Sequence, residues 1–433
     1  MTTERKKVVT LSALFMGLGR IIYLKDYVKG ALYALVEIAV LVFSPQIVTT
    51  LIDLITLGSP QPNLPIMQRD NSVFMMIDGV MMLGVLATYL GVYIISIRGT
   101  LKDYDEYIKT GRMHKSHVLS DITGDAFHVT ALAPAFLMIV FFVIVPLIFS
   151  VLVAFTNYGP QHIPPQNTID WVGMNNFVDM FGGQKAWTGA LGRVALWTLV
   201  WGALATFTCY AGGTILAVVL TESKIKLMPA FRTIFILPYA VPSVVSMLVW
   251  RNMLNGSFGT INQTLIALGI ISKDAVIPWL SDQFLAMVVC ILINFWAGVP
   301  YFMLLVTGTL TSISQDIKEA AQIDGANKFQ TFMKITLPMV LYQTMPLIIM
   351  SFTFNINNFG AIFFLTGGAP TVADTTTTSA AGTDILVTWI YKLTINLQDY
   401  KYASVLAVMI FIVLAPFAIF NFRRTKSYKE GTV

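Results

Sequence analysis

SQDIKEAAQIDGANKFQTFMKITLP, residues 314–338, is a polar island between two long apolar stretches. Its residues specify a folded surface element rather than a slack loop. Ser314 has the side chain of a helix N-cap, and Asp316 stands in the first turn where a carboxylate complements the helix dipole. Ile317, Ala320 and Ala321 recur at helical spacing, which turns Glu319 to the opposite, solvent-facing side. Gly325 is a natural C-terminal stop. A second short helix is expected to follow, with Phe329, Phe332 and Met333 on one face and Pro338 at its end. The island is therefore a helix–turn–helix lying at a membrane surface and offering a carboxylate outward.

The surroundings are those of a membrane protein. Of 433 residues, 56% are hydrophobic and only 12% charged, with a mean hydropathy of +0.71; a soluble domain carries about 25% charged residues. Apolar runs long enough for ~30 Å of hydrocarbon fall near 30–52, 73–97, 131–155, 195–220, 233–250, 284–307, 339–364 and 402–420. These predict an all-α integral membrane protein with eight transmembrane helices. With the N-terminus placed in the cytoplasm, 21 of the 28 basic residues fall on the inner side. That bias puts both termini and the island in the cytoplasm. It also accounts for the net charge of +5 without any nucleic-acid partner.

Two blocks are expected. Residues 1–128 supply an interfacial helix over Val8–Gly19, two spans and a charged linker, Arg98–Asp125. Residues 129–433 supply six spans. The Val8–Gly19 run is too short to cross and too interrupted by Arg20, Lys25 and Lys29 for a signal peptide, so it is read as lying apolar face down in the interface. Cys209 and Cys290 both fall in spans and imply no disulfide framework. Glu37 and Asp78 sit near span ends, where tilting toward the interface relieves most of their cost; a structural role is expected for both. The outer loops are 156–194, 251–283 and 365–401. The last carries Gly367, Gly368 and Pro370, then Thr375–Thr378, then Trp389-Ile390-Tyr391, and folding over the mouth of a cavity competes there with an ordinary polar loop.

Two spans carry polar faces. In NFWAGVPY, Asn294, Ala297, Gly298 and Tyr301 stand at i, i+3, i+4 and i+7. In SFTFNINNF the same spacing holds Ser351, Phe354, Asn355 and Asn358. Such faces do not belong against lipid. Hydrogen bonding between helices is the plainer explanation of one asparagine; two faces of matching chemistry point to a lined cavity. Amides exchange hydrogen bonds with hydroxyls, and aromatic rings cover the C–H face of a pyranose. Neither face holds an Arg, Lys, Asp or Glu, which suits a neutral, hydroxyl-rich solute. The fifth span adds Tyr239 between Pro238 and Pro242, each expected to kink the helix.

The island, with Glu319-Ala320-Ala321, Gly325, Ile335, Leu337 and Pro338, resembles the EAA loop of ABC importer permeases, the coupling helix that sits in a cleft of the ATPase. The runs FILPYAVPS (235–243), LNGSFGTIN (254–262) and FLTGGAP (364–370), with the sixth and seventh spans, resemble maltose/maltodextrin permease subunits of the MalF type over nearly all of 129–433. The resemblance implies a six-helix type I importer core preceded by two extra helices. It implies sugar contacts at Tyr239, Asn294, Ala297, Gly298, Tyr301, Ser351, Phe354, Asn355 and Asn358. ATPase coupling would fall on Glu319, Ala320, Ala321, Asp324 and Gly325. Ala297 replaces a larger aliphatic residue of the family. The segment Asn157–Arg193 is short where the enterobacterial type carries a folded insertion, an arrangement like that of Gram-positive bacteria, whose binding protein is a tethered lipoprotein.

No G-x-x-x-x-G-K-[ST] loop occurs, so ATP and magnesium would be held by partner ATPase subunits and this chain would bind no cofactor. His114, His117, His128 and His162 form no metal-ligand pattern, and no nucleophile–base constellation is visible, so no enzyme is expected. The expected partners are a second permease (MalG-type), two ATPase subunits, an extracellular sugar-binding lipoprotein, an oligosaccharide and the lipid bilayer. An importer for a galacto-oligosaccharide or raffinose-type sugar is the alternative. An ion-coupled secondary transporter is disfavoured, because its path would carry ionisable groups.

Overall fold

The computed structural model describes residues 3–111, 127–222 and 227–424. His114, His117 and the linker beyond Gly111 lie outside the described residues. The fold among them is helical, with two isolated β-bridges, Thr156↔Trp171 and Gly159↔His162, as the other backbone pairing. The chain forms two compact units, up to Gly173 and from Met174 onward.

In the first unit, α1 (Thr3–Leu14), α2 (Leu18–Leu24), α3 (Tyr27–Val42) and α4 (Ser44–Thr56) precede the 39-residue α5 (Ser72–Thr110). The N-terminal segment packs in part against the rest of its own unit. Val8 and Met16 are wholly enclosed by protein. Arg5 Nε pairs with Asp105 at 2.8 Å, and the buried Arg20 pairs with Asp26 at 2.9 Å and Asp103 at 2.7 Å. The partners Asp103 and Asp105 stand at the polar end of α5, far along the chain, where local periodicity cannot reveal them. The first span is bent by 55° between α3 and α4, with Pro45 in the first turn of α4. Glu37 on α3 accepts a hydrogen bond from the Tyr89 hydroxyl at 2.8 Å, as a structural carboxylate should. The third span runs through α6 (Phe127–Ile139), a π-turn Val140–Ile144 and α7 (Val145–Val153).

The second unit begins with α8 (Asn175–Val178), a π-turn Asp179–Gly183 and α9 (Lys185–Glu222). The loop expected to reach residue 194 therefore ends about ten residues earlier. The fifth span divides into α10 (Met228–Ala240) and α11 (Ser243–Met253), bent by 89° at Val241–Pro242. Pro238 stays inside α10 and does not break it. Next come α12 (Thr260–Ala267), α13 (Gln283–Ser312), α14 (Gln315–Ile323), α15 (Lys328–Thr331), a π-turn Phe332–Thr336 and α16 (Leu337–Ile356). The chain closes with α17 (Phe359–Phe363), α18 (Thr375–Thr378), α19 (Leu386–Ile395) and α20 (Tyr400–Arg424).

Six helices among the described residues are long and apolar enough to cross a membrane, and the count rises to eight if each bent pair is one span. Pro338 does not end the second island helix. Helical backbone continues from Lys328 to Ile356. A proline removes an N–H and its ring clashes with the carbonyl four residues back. The π-turn at Phe332–Thr336 widens the helix just before Pro338 and relieves both problems; the π-turn before Pro146 does the same.

Candidate functional site

Two places hold the residues singled out by sequence: a polar seam along α9, and the island.

The seam starts from residue size. α9 offers Thr206, Cys209 and Tyr210 at i, i+3 and i+4. Opposite Cys209 stands Gly298 of α13, where an added Cβ would lie 2.7 Å from the cysteine Sγ. Glycine is thus what lets α13 approach α9. At that contact the Asn294 amide donates to Cys209 Sγ at 3.5 Å, while the thiol donates to the Asn294 carbonyl at 3.4 Å. One turn away the buried Asn355 of α16 donates to Thr206 Oγ1 at 3.0 Å. Its carbonyl accepts from Trp201 Nε1 at 3.0 Å, and Trp201 is wholly buried. Tyr210 and Thr344 share a hydroxyl hydrogen bond at 2.9 Å. Two asparagines from two spans therefore meet one face of a third.

Of the other predicted residues, Tyr239 and Tyr301 are brought together, ring centroids 6.3 Å apart. Ala297 packs against the core around Trp197, Trp201 and Cys290. Ser351 is half-buried, and Phe354 is exposed at 65%. Asn358 leaves the expected face. The helix stops at Ile356, Asn357 caps it, and Asn358 begins α17 with its Oδ1 accepting from the Ala361 N–H at 3.3 Å. An asparagine side chain that can hydrogen-bond its own local backbone favours such a break over another helical turn. The sequence reading missed Thr206, Cys209 and Tyr210. The signal was a stripe of small and hydroxyl residues on the fourth span, ending in the pair Gly212-Gly213.

The island is built from its own caps. Ser314 Oγ accepts from the Asp316 N–H at 3.2 Å. Past α14, Gly325 takes φ +82°, a left-handed conformation that costs other residues strain. The Ala326 N–H then reaches the Ala321 carbonyl at 2.9 Å and the Gly325 N–H reaches Gln322 at 3.0 Å, closing a Schellman motif. Asn327 and Gln330 form a capping box for α15, at 2.8 and 2.9 Å, which the sequence reading did not foresee. Ala321 is buried; Glu319, Ala320 and Asp324 are exposed. So are Ile323 at 87% and Phe329 at 71%.

A third feature joins the ends of α9, α19 and the segment between α17 and α20. Arg193 pairs with Asp374 at 2.6 Å and donates to the carbonyls of Ala381 at 2.8 Å and Ala380 at 3.1 Å. Asp384, fully buried, pairs with Lys392 at 2.7 Å and accepts from the Ala381 N–H and the Thr388 hydroxyl. Trp389, also fully buried, donates to the Thr378 carbonyl at 2.7 Å. Residues 365–399 are thus folded on internal ion pairs and hydrogen bonds, and this outer segment is called the cap below. Among the described residues no group of three His, Cys, Asp or Glu side chains could hold a metal ion.

Six to eight helical spans among the described residues, a self-capped amphipathic island between two of them and an uncharged polar seam make this a membrane transport permease. The chain belongs to the family described as "Binding-protein-dependent transport system inner membrane component", whose profile matches residues 212–424. It is 36% identical to the galactooligosaccharides transport system permease protein GanP of Bacillus subtilis, over 99% of both chains. It is 34% identical to the maltodextrin transport system permease protein MalC of Streptococcus pneumoniae, over 99% of this chain and 98% of that one. With the maltose/maltodextrin permease MalF of Escherichia coli, identity is 38% over 62% of this chain and 52% of that protein. The fold matches a bacterial ABC transporter involved in the import of alginate, with a TM-score of 0.58 and 23% identity over 72% of this chain and all of the other. As a member of this family the chain is the translocation component of an ABC importer and not its catalytic subunit.

Proposed function

We propose that this chain is one of two permease subunits of an importer that moves maltose and maltodextrins across the cytoplasmic membrane. ATP and magnesium are held by two separate ATPase subunits. A MalG-type permease completes the pathway and an extracellular sugar-binding lipoprotein delivers the substrate. In this reading the permease core is residues 129–433, both termini and the island face the cytoplasm, and the 365–399 cap faces outward. The observation that carries the substrate class is the seam. Asn294 and Asn355 reach α9 one turn apart, Tyr239 and Tyr301 stand paired, and none of the nine predicted contact residues is an Asp, Glu, Lys, Arg or His. Such chemistry favours a neutral, hydroxyl-rich solute.

Coupling has a physical route. The ATPases grip the island at the exposed Glu319, Ala320, Asp324 and Gly325, with the buried Ala321 seating the helix from beneath and the uncovered Ile323 and Phe329 as apolar anchors. Helical backbone then runs unbroken from Lys328 to Ile356. The distance from Lys334 to Asn355 is roughly 30 Å at 1.5 Å per residue. Closure of the ATPase dimer displaces the island, and the rigid helix delivers that displacement to Asn355. On the other side Ile313 joins the island to α13, which carries Asn294.

The maltodextrin reading rests on the relatives MalC, MdxF and MalF, named for maltodextrin or maltose transport. The 36% identity to GanP favours a galacto-oligosaccharide as the second reading. Relatives matched end to end come from Bacillus subtilis and Streptococcus pneumoniae, and the Escherichia coli relative is matched over half its length. The test is ATPase activity of the co-expressed complex in lipid, with binding protein and a panel of oligosaccharides. Stimulation by maltodextrin-loaded binding protein is expected. Stimulation by galacto-oligosaccharides alone moves the specificity to the second reading.

A further inference from the structure

Four aromatic rings gather where α16 breaks. Phe359 and Phe363, four residues apart on α17, stack with centroids 4.5 Å apart and 21° between planes. Tyr391 of α19 closes on both, 5.0 Å from Phe359 and 4.9 Å from Phe363. Phe364 stands edge-on beneath, 5.5 Å from Phe363 at 81°. It packs against the core of Trp197, Trp201, Ile362 and Leu365. One side of the group is thus anchored. The other is open: Tyr391 is 38% exposed and Phe359 and Phe363 are half-buried.

The rings stay open although the surroundings are well packed. Trp389, two residues from Tyr391, is fully buried, as are Ile362 and Leu365 beside Phe363. The same short helix begins at Asn358, so an amide and an aromatic surface share one rigid element. Aromatic faces attract apolar C–H surfaces, and a pyranose ring presents one.

We infer that Phe359, Phe363 and Tyr391 form a stacking platform for one sugar ring of an oligosaccharide, a subsite separate from the nine-residue face. This rests on the oligosaccharide reading above and deepens it. A disaccharide held at the Asn294–Asn355 seam does not need the platform, whereas a longer chain reaches it. The platform thereby favours long substrates over short ones.

The experiment compares maltose with maltoheptaose in uptake by proteoliposomes holding the complete complex and its binding protein. Variants are Phe363→Ala, Tyr391→Leu and Tyr391→Phe. Phe363→Ala and Tyr391→Leu should raise KM for maltoheptaose about two- to tenfold, the range of a lost aromatic contact, and leave maltose within about twofold. Tyr391→Phe should keep wild-type preference. Equal losses for both sugars, or no change for either, overturn the platform. Tyr391→Leu keeps apolar volume, so a complex that assembles normally with unchanged length preference is decisive even where Phe363→Ala fails to assemble. A wild-type complex that imports neither sugar removes the oligosaccharide reading itself, and the platform with it.

Discussion

The island and the 365–399 cap are both polar stretches set between apolar helices, yet they are completed differently. In the cap the ion pairs and the buried tryptophan are completed within the chain: Arg193 with Asp374, Lys392 with Asp384, Trp389 with the Thr378 carbonyl. In the island the backbone is satisfied by its own caps, while the side chains that follow stay open, Ile323 at 87% and Phe329 at 71%. One region is finished by its own fold. The other is rigid and incomplete, which is the form expected of a surface that another subunit grips. The difference teaches that polarity in a loop says little by itself; what matters is whether the outward side chains are matched inside the chain.

Asp384→Ala probes the finished side and should do the most damage. It strands Lys392 in a pocket and removes the acceptor of the Ala381 N–H, a loss of about 3–5 kcal/mol. Thermal unfolding of the detergent-purified complex should show a collapse of stability and yield; a normal melting curve would mean the pair is decorative. Glu319→Lys probes the open side. It should leave melting unchanged while binding-protein-stimulated ATPase and uptake fall about tenfold or more, through charge reversal at a docking face. Equal damage to stability and coupling would erase the contrast between the regions.

Gly325→Ala sharpens it further. At φ +82° an alanine costs about 1–2 kcal/mol locally, so coupling should fall by a few-fold with melting nearly unchanged. The smallest effect is expected at Asp399, whose Oδ1 has no hydrogen-bond partner and whose carboxyl burial pushes above the usual range, against the opposing pull of Lys401. A raised carboxyl pKa means the folded state holds its proton more tightly than the unfolded chain, so ionisation destabilises as pH rises. Asp399→Asn should therefore raise the melting temperature slightly at pH 8 and not at pH 4. The reverse order would show that the ionised carboxylate is stabilised by its surroundings.

Local signals were legible in sequence and distant ones were not. Ser314 and Gly325 act within four residues of themselves, and both take the expected roles. Apolar length gave the spans. The bend at Pro242 was foreseen from proline chemistry; the bend between Phe43 and Ser44 was not, and neither was the harmless placement of Pro238. The polar faces of the sixth and seventh spans were read from period alone, which put Asn358 on a helix that ends at Ile356. Their meeting place on α9 was invisible, because Thr206 is 149 residues from Asn355 and Cys209 is 85 from Asn294. The pairing of Arg193 with Asp374, 181 residues apart, lay beyond any window of local sequence.

The broken fifth span also bears on how the chain enters its membrane during synthesis. Its halves hold 13 and 11 residues, each well short of the ~20 needed to cross alone. At the 89° break, backbone groups released from the helix find no water in hydrocarbon. Neither half is therefore a stable passenger when it first leaves the insertion machinery. Its settlement has to wait for α13, the next long helix, which packs against α10 and α11. The expected consequence is delayed, cooperative insertion at that point, in place of entry one helix at a time.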